Sequence, residues 1–191
     1  MLCYKKIIML KRYEQFLNDF DNKLAEYTNN QRQYIKCQKG CTDCCEIGEY
    51  PFSRLEAEYL MRGFLALPNE TKKIIKNNIS KLLEEKRLSK KERFTYRCPF
   101  LINGLCSVYK YRGLTCRVFG LAYLDNGVIK LPECANFGLN YSNVYDKQTK
   151  TINLSNPIQE PLKIDTILRS PLAESYELEC GEIRPLINWF S

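Results

Sequence analysis

The nine residues from Cys37 to Cys45 read CQKGCTDCC and place four cysteines in one short stretch. Short spacers let a turn direct several sulfur atoms inward, and Gly40 tolerates a left-handed backbone conformation. A Cys-x-x-Cys pair such as Cys41 and Cys44 is also typical of a redox dithiol, but a dithiol has no need of six further cysteines. The stretch therefore predicts a metal site built from thiolates.

A second group of cysteines is spread over a longer stretch. Residues 98–119 read CPFLINGLCSVYKYRGLTCRVF, and Cys134 follows after a predicted hairpin. The gaps are too wide for one local loop, so the fold must bring these sulfur atoms together. A buried free cysteine is also a common core residue, and that reading stays open for each of these four taken alone. The candidate metal ligands are Cys37, Cys41, Cys44, Cys45, Cys98, Cys106, Cys116 and Cys134.

Residues beside these cysteines have predicted supporting roles. We interpret four of them as support for the site rather than as substrate contacts, with arginine offsetting thiolate charge and tyrosine donating to sulfur. These four are Tyr109, Tyr111, Arg112 and Arg117. Adjacent Cys44 and Cys45 are expected to project in different directions, one of them toward a second site or a second metal that shares a bridge. The eight cysteines then divide into two sets of four, or into one cluster with additional redox-active or substrate-facing cysteines. Cys3 and Cys180 lie outside both groups and are predicted to be bystanders.

The chain contains ten cysteines among its 191 residues but no histidine. A metal site must therefore use thiolate, carboxylate, phenolate, backbone or external ligands, and histidine-based acid/base catalysis is excluded. The formal charge of +7 counts every cysteine as neutral. Eight thiolates holding two divalent ions would lower it to about +3. The basic residues are scattered, which argues against a nucleic-acid-binding zinc module.

Two features bear on the cellular compartment. No stretch approaches the roughly 20 apolar residues of a membrane span, and Lys11 and Arg12 follow the N-terminal residues where an export signal would have a cleavage site. A cytoplasmic location without a membrane partner is therefore expected. A disulfide scaffold is disfavoured because the cysteines cluster, and because adjacent Cys44 and Cys45 cannot bridge each other without strain.

Three amphipathic helices are predicted in the first half of the chain. From about Leu10 to Tyr34, apolar residues recur every three or four positions, which is typical of a helix with one core-facing side. Ser53 and Glu56 match the capping box that begins a second helix. A third helix is predicted near Pro68, running to about Leu88 with lysines on its solvated face.

The second half of the chain carries turn signals. Residues 120–131 read GLAYLDNGVIKL, in which Asn126 and Gly127 supply the positive φ angles of a hairpin turn. Two C-terminal helices are predicted, one over Leu162–Leu168 and one over Ile183–Phe190. The expected fold class is mainly α with a small β-hairpin, a helical scaffold around a cysteine-rich metal-binding core.

The length is sufficient for one sizeable core, so a single domain is expected over residues 1–191. Within it we predict an N-terminal helix in residues 1–36. The cysteine-cluster metal-binding region follows at 37–138, and residues 139–191 form a C-terminal packing segment.

Together the two cysteine groups resemble one known family, the YkgJ-like cysteine-cluster proteins, which are zinc- or iron-chelating CxxCxxCC domains. The family's first run is matched by residues 37–45, and its later block, of the form CPFL…G.C.vY..RP..CR.F, by residues 98–119. The match is specific because both blocks occur in the family's order. One extra residue separates Cys37 from Cys41, which alters that loop slightly. Gly113 replaces the usual proline, which is expected to change little.

The resemblance implies metal chelation, with zinc and iron both open and a 4Fe-4S cluster as one form of the iron alternative. A related domain occurs in flagellin lysine N-methylase, which looks like an iron–sulfur, S-adenosylmethionine-dependent enzyme. Two hypotheses follow. The first is a binding module in which metal staples the scaffold or is stored and delivered. The second is an iron–sulfur enzyme that modifies a protein or peptide substrate, for which no catalytic residue is assigned.

Overall fold

The computed structural model describes residues 2–38, 40–155 and 157–191, with side chains from Tyr4 onward. Its α-helices are α1 (Leu2–Asn30), α2 (Asp43–Glu46), α3 (Arg54–Leu65), α4 (Asn69–Leu88), α5 (Leu114–Val118), α6 (Ile164–Leu168) and α7 (Pro171–Ser175). Its strands are β1 (Pro51–Ser53), β2 (Leu101–Ile102), β3 (Leu105–Cys106), β4 (Tyr123–Asp125), β5 (Val128–Lys130), β6 (Tyr145–Asp146), β7 (Thr151–Ile152) and β8 (Ile183–Pro185). Short 3₁₀ turns cover Arg32–Tyr34, Tyr109–Tyr111, Glu133–Phe137 and Leu186–Trp189.

The prediction of a mainly α fold with a small β-hairpin is confirmed, since about half of the residues are helical and the strands form small antiparallel pairs. The described strands form antiparallel pairs: β1 with β8, β2 with β3, β4 with β5, and β6 with β7. No helix in the described part of the chain combines the length and apolar character needed to cross a membrane.

The residues group into two compact units that interleave along the chain. Unit 1 consists of residues 1–41 and 118–178, and unit 2 consists of residues 42–117 and 179–191. Both the cysteine region 37–138 and the C-terminal segment 139–191 therefore contribute to each unit. The single domain over residues 1–191 stays a prediction.

In unit 1, α1 begins at Leu2 rather than near Leu10, because the helical apolar period extends to Met9. The buried side is formed by residues spaced three or four apart: Met9, Tyr13, Phe16, Leu17 and Phe20. Phe16 contacts Tyr176 edge-to-face, with ring centroids 6.1 Å apart. The predicted amphipathic helix is thus confirmed, and its apolar side packs on the segment that follows α7.

The predicted hairpin of unit 1 is also confirmed, as β4 and β5. Asn126 and Gly127 have φ angles of 50° and 77°, the left-handed pair that a two-residue hairpin turn requires. Ala122, just ahead of β4, lies in a buried cluster with Tyr34, Tyr141 and Ile158. The hairpin is therefore attached to the end of the long helix through shared core contacts.

In unit 2, α3 begins at the predicted capping box. Ser53 Oγ accepts a hydrogen bond from the Glu56 N–H at 3.3 Å, and Glu56 Oε2 accepts one from the Ser53 N–H at 2.8 Å. A cap of this kind stabilises a helix by about 1 kcal/mol. The helix then buries Leu55, Tyr59, Leu60 and Phe64, and α4 buries Ile75 and Leu82.

The prediction of a helix over Ile183–Phe190 is wrong for its first half. Residues of β8 pair with β1, with Phe52 opposite Arg184, and only Leu186–Trp189 form a 3₁₀ turn. Pro185 explains the difference, because it has no N–H for a helical bond and favours an extended residue before it. The other predicted C-terminal helix is confirmed as α6, two residues shorter at its start.

Candidate metal centre

The structure divides the eight predicted ligands between the two units. Unit 2 contains Cys44, Cys45, Cys98, Cys106 and Cys116, and unit 1 contains Cys37, Cys41 and Cys134. None of the nine cysteines whose side chains are described is part of a disulfide.

Backbone pairing brings the first and second cysteine groups of unit 2 together. The Cys98 N–H donates to the Cys45 carbonyl at 2.8 Å, and Gly48 and Tyr96 form an antiparallel bridge beside this contact. The loop that follows α2 therefore runs along the segment that leads into Cys98. Sequence spacing alone does not reveal this pairing.

The loop from Cys98 to Cys106 surrounds its sulfur atoms with peptide N–H donors. Strands β2 and β3 place Leu101 opposite Cys106, so the two cysteines lie at the open end of a tight hairpin. Backbone hydrogen bonds from Phe100 and Leu101 lower the pKa of Cys98, and one from Val108 lowers that of Cys106. The Leu101 N–H also donates to the Cys98 carbonyl at 3.1 Å. Donors directed at sulfur favour the thiolate form, which is the form that binds metal.

The four thiols of Cys45, Cys98, Cys106 and Cys116 lie within one another's electrostatic field. Burial raises the pKa of Cys98 to about 12, the two N–H donors oppose this rise, and the charges of Cys45 and Cys106 add to it. Burial likewise raises the pKa of Cys106, and burial with the charges of Cys98, Cys45 and Cys106 raises that of Cys116 well above its ordinary value. Cys98, Cys106 and Cys116 therefore retain their protons near neutral pH in the metal-free protein, and a bound cation must displace these protons.

Cys116 is carried by the short helix α5. Thr115 Oγ1 donates to the Pro51 carbonyl at 2.9 Å, which ties the helix to β1. Leu114, the first residue of α5, is fully buried. These contacts hold the third cysteine of the 98–119 block close to the first two.

The expectation that Cys44 and Cys45 point to different places is not what the structure shows. Both lie on α2, and a hydrogen bond from the Cys44 thiol lowers the pKa of Cys45, while burial and the charge of Glu46 oppose this. Cys44 is therefore a neighbour of Cys45 in the same group. It is a fifth thiol beside the other four.

Tyr50 is a residue of this region that sequence reasoning missed. Its ring is only 2% exposed, and its hydroxyl donates to the carbonyls of Cys44 and Tyr96 at 3.1 and 3.3 Å. Burial raises its pKa first, and the charges of Cys98, Cys45 and Cys116 raise it further. Tyr50 is thus a buried, neutral and hydrogen-bonded side chain near these thiols.

Three of the four predicted supporting residues have identifiable contacts around the 3₁₀ turn at Tyr109–Tyr111. The Arg112 guanidinium lies 3.9 Å from the centroid of the Tyr109 ring, and its charge lowers the otherwise raised pKa of Cys106. Arg117 donates to the carbonyls of Arg112 and Lys110. Arg112 therefore offsets thiolate charge as predicted, whereas Arg117 braces the backbone.

Tyr111, the fourth, packs into the scaffold. Its ring centroid lies 5.1 Å from that of Tyr59 on α3. A Cβ added to Gly63 would come within 2.4 Å of the Tyr111 ring, so the glycine makes room for it. The role of Tyr111 is packing against α3.

The donor set suits zinc or iron in its chemistry, since four thiolates are the usual complement of a structural zinc site or an iron–sulfur cluster. Across residues 2–38, 40–155 and 157–191, no group of three or more His, Cys, Asp or Glu side chains already has the geometry of a bound ion. The four thiols lie near one another but do not form a closed coordination shell. Binding therefore requires their side chains to turn toward a common centre.

In unit 1, Cys37 is held through its backbone. The side chain of Asn140, 1% exposed, accepts from the N–H groups of Lys36 and Cys37 at 2.8 and 2.9 Å and donates to the Gly120 carbonyl at 2.7 Å. A Cβ added to Gly120 would lie 3.0 Å from the Asn140 amide nitrogen and 3.7 Å from the Cys37 sulfur. The Cys37 thiol therefore sits against a glycine that leaves it space.

The other two cysteines of unit 1 lie on turns near this point. The Cys41 N–H closes a turn on the Gln38 carbonyl at 3.0 Å, and the Leu139 N–H donates to the Cys134 carbonyl at 3.1 Å. Burial raises the pKa of Tyr141, an N–H from Ala122 opposes it, and the charge of Cys134 adds to the rise. Since Asn140 contacts Cys37 and is flanked by residues that contact Cys134, both cysteines border the same loop.

The two predicted bystanders are Cys180 and Cys3. Burial, and then the charge of Glu56, raises the pKa of Cys180 to about 11, and the Cys180 carbonyl accepts from the Leu55 N–H. Cys180 thus belongs to the backbone contacts at the start of α3. The side chain of Cys3 lies outside the described residues.

Comparison with known proteins agrees with the cysteine pattern. The sequence model of the CxxCxxCC family, whose printed description is "putative zinc- or iron-chelating domain", matches residues 36–156, which is more than half of the chain and includes all eight predicted ligands. No curated protein and no solved structure gives a significant match. The chain therefore belongs to the CxxCxxCC family of zinc- or iron-chelating domains.

Proposed function

We propose that the chain is a metal-binding module whose principal site is formed in unit 2 by Cys45, Cys98, Cys106 and Cys116. The observations that support this most strongly are the 2.8 Å bond from the Cys98 N–H to the Cys45 carbonyl, which joins the two cysteine groups, and the backbone hydrogen-bond donors that lower the pKa of Cys98 and Cys106 against the effect of burial. A cysteine that only fills a core has no need of such donors. A metal-bound thiolate does, because its charge must be balanced in a partly buried place.

The charge balance of the site also supports metal binding. Four thiolates and one divalent cation leave two negative charges, and Arg112 lies close enough to act on Cys106. Without metal, burial raises the pKa of the Cys98, Cys106 and Cys116 thiols and favours their protonated forms, whereas the pKa of Cys45 is lowered. Metal binding is then an exchange of protons for one cation, which makes affinity depend steeply on pH.

The three cysteines of unit 1 are proposed as a second, weaker ligand set. Cys37, Cys41 and Cys134 supply three thiolates, and a fourth position would be completed by solvent or another ligand. With Cys44 as the fifth thiol of unit 2, this assigns all eight cysteines of the family pattern. A site with three protein ligands is also the feature that favours the alternative function.

That alternative is an iron–sulfur, S-adenosylmethionine-dependent enzyme acting on a protein or peptide. A 4Fe-4S cluster held by three cysteines leaves one iron open for such a ligand, and unit 1 contributes three. We favour the binding module because the more numerous and better supported thiols are in unit 2, where four suffice to close a coordination shell. In either case thiolate ligands require a reducing compartment, and we propose the cytoplasm.

The test is metal analysis of protein purified without oxygen. Zinc, iron and acid-labile sulfide are determined per chain, together with the visible absorption spectrum. Zinc without colour supports the module, whereas iron with equimolar sulfide and visible absorption supports the iron–sulfur alternative, for which S-adenosylmethionine binding is then measured. A chain that remains metal-free after incubation with either ion, with its secondary structure intact, would contradict both.

A further inference from the structure

Glu56 carries a buried carboxylate with two separate tasks. The residue is 0% exposed, and its Oε2 atom accepts from the Ser53 N–H as part of the capping box. Its Oε1 atom accepts from the Leu114 N–H at 2.7 Å, a contact between residues 58 positions apart. A buried carboxylate costs free energy unless hydrogen bonds compensate for lost water, and capping α3 uses only one of the two oxygens. The second oxygen serves α5.

The segment that Glu56 contacts through the Leu114 N–H leads directly to a proposed metal ligand. Leu114 is the first residue of α5 and Cys116 is the third. Gly113 lies against the anchor, because a Cβ there would be 2.9 Å from Glu56 Oε1 and 2.7 Å from the Phe52 ring. Both neighbours are fully buried and have little room to move. The glycine that replaces the family's usual proline thus fits a close approach in this chain.

We infer that Glu56 is a positioning residue, which places the Cys116 thiol in the metal site of unit 2 by holding the first peptide N–H of α5. This inference rests on the proposed function. In the proposed site Glu56 does not contact the metal, and it acts on Cys116 through the backbone of α5. Its capping of α3 is a separate task, and the two tasks can be distinguished experimentally.

Two simpler roles of Glu56 must be separated from positioning. If Glu56 only caps α3, then Ser53→Ala, which removes the other half of the capping box and leaves the bond to Leu114, should have the same consequences. If Glu56 acts only by its charge, then Glu56→Asp should behave like the wild type. Positioning requires reach, and the shorter aspartate cannot contact both N–H groups from the same place.

The experiment is an anaerobic cobalt(II) titration of the full chain, with melting temperature measured in parallel. Cobalt takes tetrahedral thiolate sites like those of zinc, and each cobalt–sulfur bond adds to its charge-transfer absorption. Cys116→Ser sets the reference for three thiolates, a loss of roughly a quarter of the wild-type intensity per bound cobalt. We expect Glu56→Met, which removes both acceptor oxygens, and Glu56→Asp, which is too short to reach both N–H groups, to approach that reference. Ser53→Ala should lower the melting temperature while keeping the wild-type spectrum.

Opposite results would overturn the inference. Full wild-type intensity in Glu56→Met would show that Glu56 does not place Cys116, and the same reduction in Ser53→Ala would assign the effect to the cap. If Glu56→Met does not fold, Gly113→Ala displaces the same contact while keeping the carboxylate, and unchanged intensity there is equally contrary. A wild-type chain that binds no cobalt through sulfur refutes the proposed function itself, a result separate from any difference among variants.

Discussion

The cysteines of the two units are held by different means. In unit 2, peptide N–H groups donate to the sulfur atoms of Cys98 and Cys106, and four thiols act on one another electrostatically. In unit 1, Asn140 fixes the backbone N–H of Cys37, and the sulfur itself lies beside Gly120. Donors directed at sulfur favour its thiolate form, whereas an acceptor that binds the backbone N–H of a cysteine only fixes the position of that residue. We therefore expect the tighter site in unit 2.

The units also share a device. Each has one fully buried polar side chain that reaches a peptide N–H at or near a proposed ligand, Glu56 for Cys116 and Asn140 for Cys37. Each has a glycine pressed against that side chain, Gly113 and Gly120 respectively. Loops that carry metal ligands have little regular structure of their own, so a buried polar anchor supplies the precision that a helix or strand would otherwise give.

The largest effect should come from removing a sulfur that receives two N–H donors. Cys98→Ser is expected to weaken zinc binding by more than the roughly 10- to 100-fold that loss of an outer-shell partner costs. Competition with a chelating dye measures this affinity. Cys180→Ser is the matched control, since Cys180 is half-buried in the same unit but outside the proposed site. Equal zinc affinity of Cys98→Ser and wild type would show that Cys98 is not a metal ligand.

A smaller effect is expected from the corresponding change in unit 1. Cys134→Ser should abolish the weaker phase of a zinc titration, because it leaves two of three thiolates, and should keep the tighter phase within about threefold of wild type. Calorimetry resolves the two phases. Loss of the tighter phase instead would reverse the ranking of the two ligand sets.

The anchor of unit 1 should matter mainly for stability. Asn140→Ala leaves the N–H groups of Lys36 and Cys37 and the Gly120 carbonyl without their partner, so we expect a loss of about 2 kcal/mol in the free energy of unfolding. Urea unfolding followed by circular dichroism measures it. The exposed neighbour Asn143, changed to alanine, should cost almost nothing. Equal losses in both variants would show that Asn140 is not a specific anchor of unit 1.

The smallest and most gradual effect is that of pH on the metal-free protein. Cys98 has a pKa of about 12 when folded against an ordinary 9.0, so the folded state favours its neutral thiol. That stability is fully present below about pH 9 and is lost as pH rises toward 12, by about 1 kcal/mol per pH unit for one proton. Urea unfolding in reductant and chelator at pH 8, 9 and 10 tests this. Cys98→Ser should show a shallower decline, and a rise in stability above pH 9 would contradict the account.

Features with a local signal were predictable from sequence. Ser53 and Glu56 form their capping box within four residues, and the Asn126-Gly127 turn determines its own hairpin. The strand pairing of Ile183–Pro185 with β1 was missed because its partner is distant in sequence, so a helix was predicted instead. Pro185 was the one local sign against that helix.

The candidate site divides in the same way. Spacing and residue type identified the eight cysteines, but their division between units depends on tertiary contacts such as the bond from Cys98 to Cys45. Glu56 was recognised as a cap, yet its contact with Leu114 has no counterpart in any sequence pattern. Tyr50 has the composition of an ordinary core residue, and only its burial among thiols marks it.

The most direct test of the account is X-ray absorption spectroscopy at the metal edge of protein purified without oxygen and loaded with one equivalent of zinc. It counts the atoms bound to the ion and distinguishes sulfur from oxygen or nitrogen. The account predicts four sulfur atoms at about 2.3 Å in the wild type, and three in Cys98→Ser with one lighter ligand. A shell made mainly of oxygen or nitrogen, or an unchanged sulfur count in Cys98→Ser, would contradict it.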